Sequence, residues 1–100
     1  MAVDFAWDPR KNRANLHKHG IDFEDAIEVF EGTCLEGPDE RFDYGERRMI
    51  AYGQMGPHIV AVVFVQRGDC RRIVSARKAT KAEAKGYLEA VYGKGQAGED

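Results

Sequence analysis

Cysteine is scarce in this sequence, and the residue spacings typical of structural metal sites are absent. Cys34 and Cys70 are the only cysteines among 100 residues, and neither has a metal-like spacing with the three histidines. In a reducing compartment such cysteines stay as free thiols. We therefore expect no disulfide framework, no structural metal and no other cofactor.

Long hydrophobic runs are also missing. No stretch approaches the roughly 18 apolar residues of a membrane-spanning helix, and the N-terminus lacks the basic and then apolar order of a signal peptide. The composition, 43% hydrophobic and 32% charged, is typical of one soluble globular domain, which we expect in the cytoplasm. We place this domain at residues 1–93 and predict that residues 94–100 form a disordered tail.

A net charge of only −2 argues against a non-specific nucleic-acid binder, but the two signs are separated along the chain. Residues 22–46 contain ten acids and one base, whereas residues 47–94 contain ten bases and three acids. The basic half could bind phosphate groups of a nucleic acid. The acidic half could shield that surface or face a basic partner.

Hydrophobic periodicity, helix caps and turn residues predict an α+β fold. We expect a small antiparallel sheet, in which a three-stranded meander is joined by short N-terminal and middle strands. Two N-terminal helices and one C-terminal helix pack against it. The predicted helices cover residues 9–18, 23–31 and 81–92, and the predicted strands cover residues 3–7, 33–36, 47–54, 58–66 and 71–78.

Two of the predicted helices have an apolar face that should reach the core. The second helix carries Phe23, Ala26, Ile27 and Phe30 at helical spacing. The last helix should pack on the sheet through a stripe formed by Ala84, Tyr87, Leu88, Val91 and Tyr92. The first helix has few apolar residues, so its cations form either a nucleic-acid face or an ordinary solvated face.

Residues 71–80 hold four cations and no acid where the last strand leads into the last helix. Strand alternation predicts one face made of Arg71, Ile73, Ser75 and Arg77. Thr80 and Glu83 have the spacing of a capping box. Because a helix N-terminus already carries partial positive charge, a phosphate beside Arg77 would relieve an electrostatic conflict. Otherwise the segment is an edge strand with solvated charges.

Four groups of motifs follow one another along the chain. They are Phe5-Ala6-Trp7-Asp8-Pro9 with Lys11 and Asn15; Lys18-His19-Gly20-Ile21 with Phe23, Ala26 and Phe30; Tyr44-Gly45-Glu46 with Arg48 and Gly53; and Arg72-Ile73-Val74-Ser75-Ala76-Arg77 with Glu83 and Tyr87. In order and spacing, they resemble the BrnT toxins of bacterial type II toxin–antitoxin systems. Two positions depart from the family pattern, namely Arg47, where an acid is usual, and Gly86 in the last helix.

The resemblance implies a RelE-like fold and a ribonuclease that halts translation. It also implies a BrnA-like antitoxin partner, a ribbon-helix-helix protein that binds DNA, so that this chain would contact DNA only through the complex. The alternative function is that of a non-enzymatic module, which binds a partner chain through its sheet and contributes to transcriptional repression within that complex.

RNA cleavage without a metal needs a base near the 2′-hydroxyl, an acid near the leaving oxygen and positive charge on the phosphate. We predict that Arg48 and Arg77 supply the charge, because a guanidinium donates two hydrogen bonds to phosphate and never titrates. Glu46 is the candidate base, and His17 or His19 the candidate acid or base. The predicted RNA contacts are Lys11, Arg47, Arg72 and Lys78.

These residues also have structural interpretations. Glu46 could be only an ion-pair partner of the neighbouring arginines, and the histidines could interact only with a helix dipole. Arg48 and Arg77 fall near opposite ends of the two outer meander strands. One site that holds both would need a bent strand or a folded-over loop.

Overall fold

The computed structural model describes residues 4–40 and 45–93. The predicted tail and residues 41–44 of the acidic half therefore lie outside the described residues. The strands are β1 (Asp4–Ala6), β2 (Leu35–Pro38), β3 (Met49–Met55), β4 (His58–Arg67) and β5 (Cys70–Lys78). The helices are α1 (Pro9–His19), α2 (Phe23–Ala26) and α3 (Lys81–Tyr92), with a 3₁₀ turn at Ile27–Phe30 after α2.

The five strands form one mixed sheet with the order β1-β5-β4-β3-β2. The predicted meander is confirmed, because β3, β4 and β5 pair antiparallel in succession. The prediction of a purely antiparallel sheet is wrong at one edge, where β1 pairs parallel with β5. A parallel pair needs a long connection, and here α1, α2, the 3₁₀ turn and strands β2 to β4 lie between the two strands in sequence.

Helix α1 begins and ends at the predicted signals. The Asp8 carboxylate accepts a hydrogen bond from the backbone N–H of Arg10 at 2.8 Å, and Pro9 occupies the first turn. The helix ends at Gly20, whose φ of 74° is unfavourable for residues with a side chain. Asn15 is buried and fixes α1 to β5, because its side chain bonds both the N–H and the C=O of Ala76.

The predicted second helix is shorter than expected, because its second half tightens into the 3₁₀ turn. Phe23 and Ala26 of α2 are fully buried, and the three-residue repeat of the 3₁₀ turn extends this buried side to Val29. The turn packs directly on β3 at Gly53, where an added Cβ would lie 2.6 Å from the carbonyl oxygen of Val29. Only glycine permits this approach without a shift of the backbone.

The sheet has two distinct apolar faces. The first face packs against α1, α2 and the 3₁₀ turn through Ala51, Val60, Val62, Phe64, Ile73 and Ala76. The second face carries the buried residues Ile50, Ala61 and Val63, with Tyr52 and Val74 against them. Strand β4 contributes to both faces, as is typical of a strand with a continuous apolar run, here residues 59–65.

A β-bulge in β5 corrects the predicted alternation. Phe64 pairs with Ile73 and Val63 pairs with Ser75, so Val74 is an extra residue. Arg71 therefore shares the first face with Ile73, and its guanidinium lies 4.8 Å from the ring centre of Phe30. Arg77, predicted on the same face as Arg71, lies on the second face instead.

Helix α3 spans the predicted residues but does not pack as predicted. Tyr87 is buried and its hydroxyl donates to the C=O of Thr33 at 2.7 Å, whereas Leu88 and Tyr92 are 43% and 52% exposed. Thr33 precedes the edge strand β2, so Tyr87 attaches the middle of α3 to the edge of the sheet. None of the helices in the described ranges is long and apolar enough to cross a membrane.

Candidate functional site

Three arginines from neighbouring strands lie at one end of the second face. Arg48 directly precedes β3, Arg67 ends β4 and Arg72 is near the start of β5. Arg72 pairs with Val65, the register places Arg48 beside the same valine, and alternation puts Arg67 on this face. With strands ~4.8 Å apart, the Cα atoms of Arg48 and Arg72 are about 10 Å apart. We call Arg48, Arg67 and Arg72 the arginine cluster.

The carboxylate of Glu46 joins two members of the arginine cluster. Arg48 Nε donates to Glu46 Oε2 at 3.2 Å, and a terminal nitrogen of Arg67 is 3.7 Å from Glu46 Oε1. The side chain of Glu46 is 36% exposed and that of Arg67 is 66% exposed. The carboxylate therefore holds two guanidinium groups in place while it still faces solvent.

Arg72 completes the cluster with a guanidinium that is open to a ligand. It is exposed and forms no ion pair with any residue in the ranges 4–40 and 45–93. The charge of Arg72 also acts on Asp8. The pKa of Asp8 is lowered mainly by the hydrogen bond from the backbone N–H of Arg10 and, to a smaller extent, by the positive charges of Arg10 and Arg72. This arrangement favours an anionic ligand at the cluster.

Arg47 lies at the same end of the sheet but on the first face. It lines a cavity of about 270 Å³ together with Glu36, Met49, Phe64 and Gln66. The neighbouring Arg71 is bound to Glu36 at 2.7 Å and covers the aromatic core. A ligand bound to the arginine cluster therefore contacts Arg47 only if it extends around the end of the sheet to the first face.

Arg77 lies at the opposite end of the second face, in an ion pair with Glu83. Its two terminal nitrogens donate to Glu83 Oε1 at 2.8 Å and to Oε2 at 3.1 Å. Thr80 completes the predicted capping box, and the Tyr52 hydroxyl donates to Glu83 Oε2 at 3.2 Å. These hydrogen bonds lower the pKa of Glu83 to about 2, and the bond from Arg77 contributes most.

The structure does not bring Arg77 and Arg48 into one site. Arg77 pairs with Ala61, four residues along β4 from the position beside Arg48, so the two lie about 13 Å apart along the strand direction. The anion that the sequence suggested beside Arg77 is present within the chain as Glu83. A second anion is not needed to relieve the charge at the start of α3.

The remaining candidates lie on or near α1. Lys11 and His17 are exposed on this helix, which covers the first face, and Lys78 is exposed at the end of β5. His19 is half-buried; burial lowers its pKa, and the charges of Lys18 and Arg77 lower it further. None of these four side chains is hydrogen bonded to Glu46 within residues 4–40 and 45–93.

Two residues of this face, Arg67 and Tyr52, were not predicted as site residues from the sequence. The predicted strand 58–66 stops one residue before Arg67, although its alternation continued by one residue places Arg67 on the face of Val65. Tyr52 carried no recognisable motif, because its partner Glu83 is 31 positions away. Continuing the strand pattern could have found the first but not the second.

Sulfur and carboxylate groups do not form a metal centre in the described part of the chain. No group of three or more His, Cys, Asp or Glu side chains there could hold a metal ion. Cys34 and Cys70 are free and half-buried. Burial, which contributes most, and the negative charge of Glu36 raise the pKa of Cys34 to about 11. The thiol is therefore protonated and unreactive at neutral pH.

Comparison with known proteins identifies the family to which this chain belongs. The model of the ribonuclease toxin BrnT of type II toxin–antitoxin systems matches residues 7–83. The crystal structure of the Brucella abortus ribonuclease toxin BrnT is similar, with a TM-score of 0.65 and 30% identity over 80% of this chain and 100% of that chain. No curated protein matches the sequence. From the family match, the structural similarity and the shared α+β architecture, we conclude that this chain belongs to the BrnT family of type II ribonuclease toxins.

Proposed function

We propose that this chain is a metal-independent endoribonuclease whose reacting centre is Glu46 with the arginine cluster. One observation carries the proposal: a solvent-facing carboxylate is held between Arg48 and Arg67 on the face that also presents Arg72. A base beside several positive charges provides two of the three groups that phosphodiester cleavage by a 2′-hydroxyl requires.

In the proposed reaction, Glu46 removes the proton of a ribose 2′-hydroxyl. The 2′-oxygen then forms a bond to the adjacent phosphorus, and the bond from phosphorus to the 5′-oxygen breaks, which leaves a 2′,3′-cyclic phosphate and a new 5′-hydroxyl. Arg67 and Arg72 stabilise the charge that builds on the phosphate oxygens, and Arg48 orients Glu46. Water supplies the proton for the leaving oxygen, because an arginine does not titrate.

His17 and Arg77 remain sequence predictions in this scheme. His17 lies on α1 against the first face, and Arg77 is bound to Glu83 at the far end of the second face. Catalysis by either would require the RNA to extend well beyond the arginine cluster. Lys11 and Lys78 likewise remain predicted outer contacts.

The test is cleavage of a synthetic RNA by purified protein with and without EDTA. Glu46→Gln should lower the rate by about 10² to 10⁴-fold, the usual contribution of a general base, while EDTA should leave the wild-type rate unchanged. A Glu46→Gln rate equal to that of wild type would remove the proposed base. Loss of cleavage in EDTA would remove the metal-independent mechanism.

We also propose a BrnA-like ribbon-helix-helix antitoxin as the partner, with DNA contacted only through the complex and RNA as the substrate in the cytoplasm. The support is membership of a type II toxin–antitoxin family. Co-expression of a small protein encoded beside this chain should restore growth and give a stable complex. Harmless expression of the chain alone, without such a complex, would contradict this part.

A non-enzymatic binding module is the second candidate function. It is favoured by the exposed apolar side chains of Leu88 and Tyr92 on α3, which are available to a partner chain. Both candidates include a complex, but only the first includes turnover. The RNA cleavage assay on the purified chain therefore separates them.

A further inference from the structure

Gly86 lies in the interior of α3, where glycine is unfavourable. It destabilises a helix interior by about 1 kcal/mol relative to alanine. Tight packing does not explain it, because a Cβ added at Gly86 would meet no atom within 4 Å. The residue instead lines a cavity of about 480 Å³. A side chain at this position would project toward open space beside that cavity.

The cavity lies between α3 and the edge of the sheet. Its walls are Leu35, Glu36, Gly37, Pro38, Ile50, Tyr52, Glu83, Gly86 and Tyr87. Most of these contribute apolar or aromatic surface. The hydroxyls of Tyr52 and Tyr87 are already bonded to Glu83 and Thr33, so both rings are held in fixed positions.

The cavity lies beside the open edge of the sheet. Strand β2 is the outermost strand of the described sheet, so the backbone N–H and C=O groups on its outer side have no partner strand. A planar ring between apolar walls could bond to such groups through its edge. Two aromatic side chains, apolar walls and a polar edge match a nucleobase better than an aliphatic ligand.

The position of the cavity connects it to the arginine cluster. Tyr52 follows Arg48 by four residues in the same strand direction and lies on the same face, so the two positions are about 13 Å apart. Single-stranded RNA spans that distance in a few nucleotides. A phosphate on the arginine cluster and a base in the cavity can therefore belong to one RNA strand.

We infer that this cavity is a nucleobase-binding site, and that Gly86 keeps it open. The inference rests on the proposed function, because it makes the cavity part of an RNA-binding surface. Sequence preference in cleavage would then depend on the cavity, whereas the reaction itself would depend on Glu46. Tyr52, Tyr87 and Gly86 are binding residues in this scheme and take no part in proton transfer.

The experiment is NMR titration of the full chain with each of the four nucleoside 5′-monophosphates and with ribose 5-phosphate. We expect the nucleotides to shift the amide signals of Tyr52, Gly86 and Tyr87, whereas ribose 5-phosphate leaves these signals in place. Equal shifts with ribose 5-phosphate, or no shifts at these residues with any nucleotide, would overturn the inference. This arm uses the wild-type protein, so it does not depend on the folding of a variant.

A matched pair of variants tests the role of Gly86. Gly86→Leu adds a bulky side chain at the wall of the cavity and should weaken nucleotide binding at least about tenfold, as expected when a ligand group is excluded from its pocket. Ala90→Leu adds the same side chain one turn later, at an exposed residue that does not line the cavity, and should bind like wild type. Equal binding by both variants would overturn the inference.

The same proteins separate this inference from the proposed function. RNA cleavage that depends on Glu46, without nucleotide binding in the cavity, would overturn the inference and leave the proposed function. Nucleotide binding in the cavity without RNA cleavage would overturn the proposed function and support the inference.

Discussion

Arg77 and Glu83 form a two-point ion pair that connects the end of β5 to the first turn of α3. The two nitrogen–oxygen distances are 2.8 and 3.1 Å, and the side chains are 21% and 26% exposed. The pair compensates the positive charge of Arg77 at the start of a helix, where a cation alone is unfavourable. Arg77 therefore has a structural function that is independent of any RNA.

Arg77→Ala should lower stability. It removes two hydrogen bonds between charged groups from a partly exposed site, for which about 1 to 2 kcal/mol is expected. For a domain of this size, that corresponds to a decrease in Tm of roughly 5 to 10 °C. A melting curve that coincides with that of wild type would show that the ion pair contributes nothing. Arg13→Ala, at an exposed position within α1, is the matched control and should leave Tm nearly unchanged.

The pH dependence of stability should reflect the same pair. The pKa of Glu83 is lowered from 4.5 to about 2 by Arg77, Thr80 and Tyr52. A carboxyl whose pKa is lowered by folding stabilises the protein above its unfolded pKa, and this contribution is lost as the pH falls through the folded value. Wild type should therefore lose stability between about pH 4.5 and 2, and Glu83→Gln should lose less. Parallel curves for the two proteins in urea titrations would contradict this prediction.

Phe64→Ala should severely destabilise the protein. Phe64 is 1% exposed in the central strand, and its ring meets that of Phe30 edge-on at 5.4 Å between ring centres. Such a truncation costs about 3 to 5 kcal/mol, a large part of the roughly 5 to 15 kcal/mol that stabilise a domain. Denaturant unfolding measures the loss. A Tm close to that of wild type would show that β4 is not the centre of the core.

Two glycine substitutions should have opposite effects. Gly53→Ala places a Cβ 2.6 Å from the Val29 carbonyl oxygen and should destabilise by about 1 to 3 kcal/mol through overpacking. Gly86→Ala places its Cβ in open space and should stabilise α3 by up to about 1 kcal/mol. Thermal melts of both variants provide the comparison. Effects of the same sign would show that the environment of one glycine is assigned incorrectly.

Much of the fold follows from local signals in the sequence. Asp8-Pro9 starts α1, Thr80 and Glu83 start α3, and short turns with an apolar run produce the antiparallel meander. These features were predictable because the residues that determine each of them are close in sequence. The parallel pairing of β1 was not predictable in this way, because it depends on which sheet edge remains open after the other strands have paired.

The candidate site was only partly predictable for a related reason. Glu46 and Arg48 are two residues apart, and their ion pair follows from that spacing. The distribution of arginines over the two faces depends on the bulge at Val74, which no local pattern indicates. One extra residue moves Arg77 to the face opposite Arg71, and predictions of a shared surface fail as a result.

The central claim is that Glu46, held by the arginine cluster, is the base that cleaves RNA. The most direct measurement is the single-turnover rate of cleavage of one synthetic RNA by folded Glu46→Gln, compared with wild type and with Glu24→Gln as the control. We expect a rate about 10² to 10⁴-fold lower for Glu46→Gln and an unchanged rate for the control. Equal rates for all three proteins would contradict it.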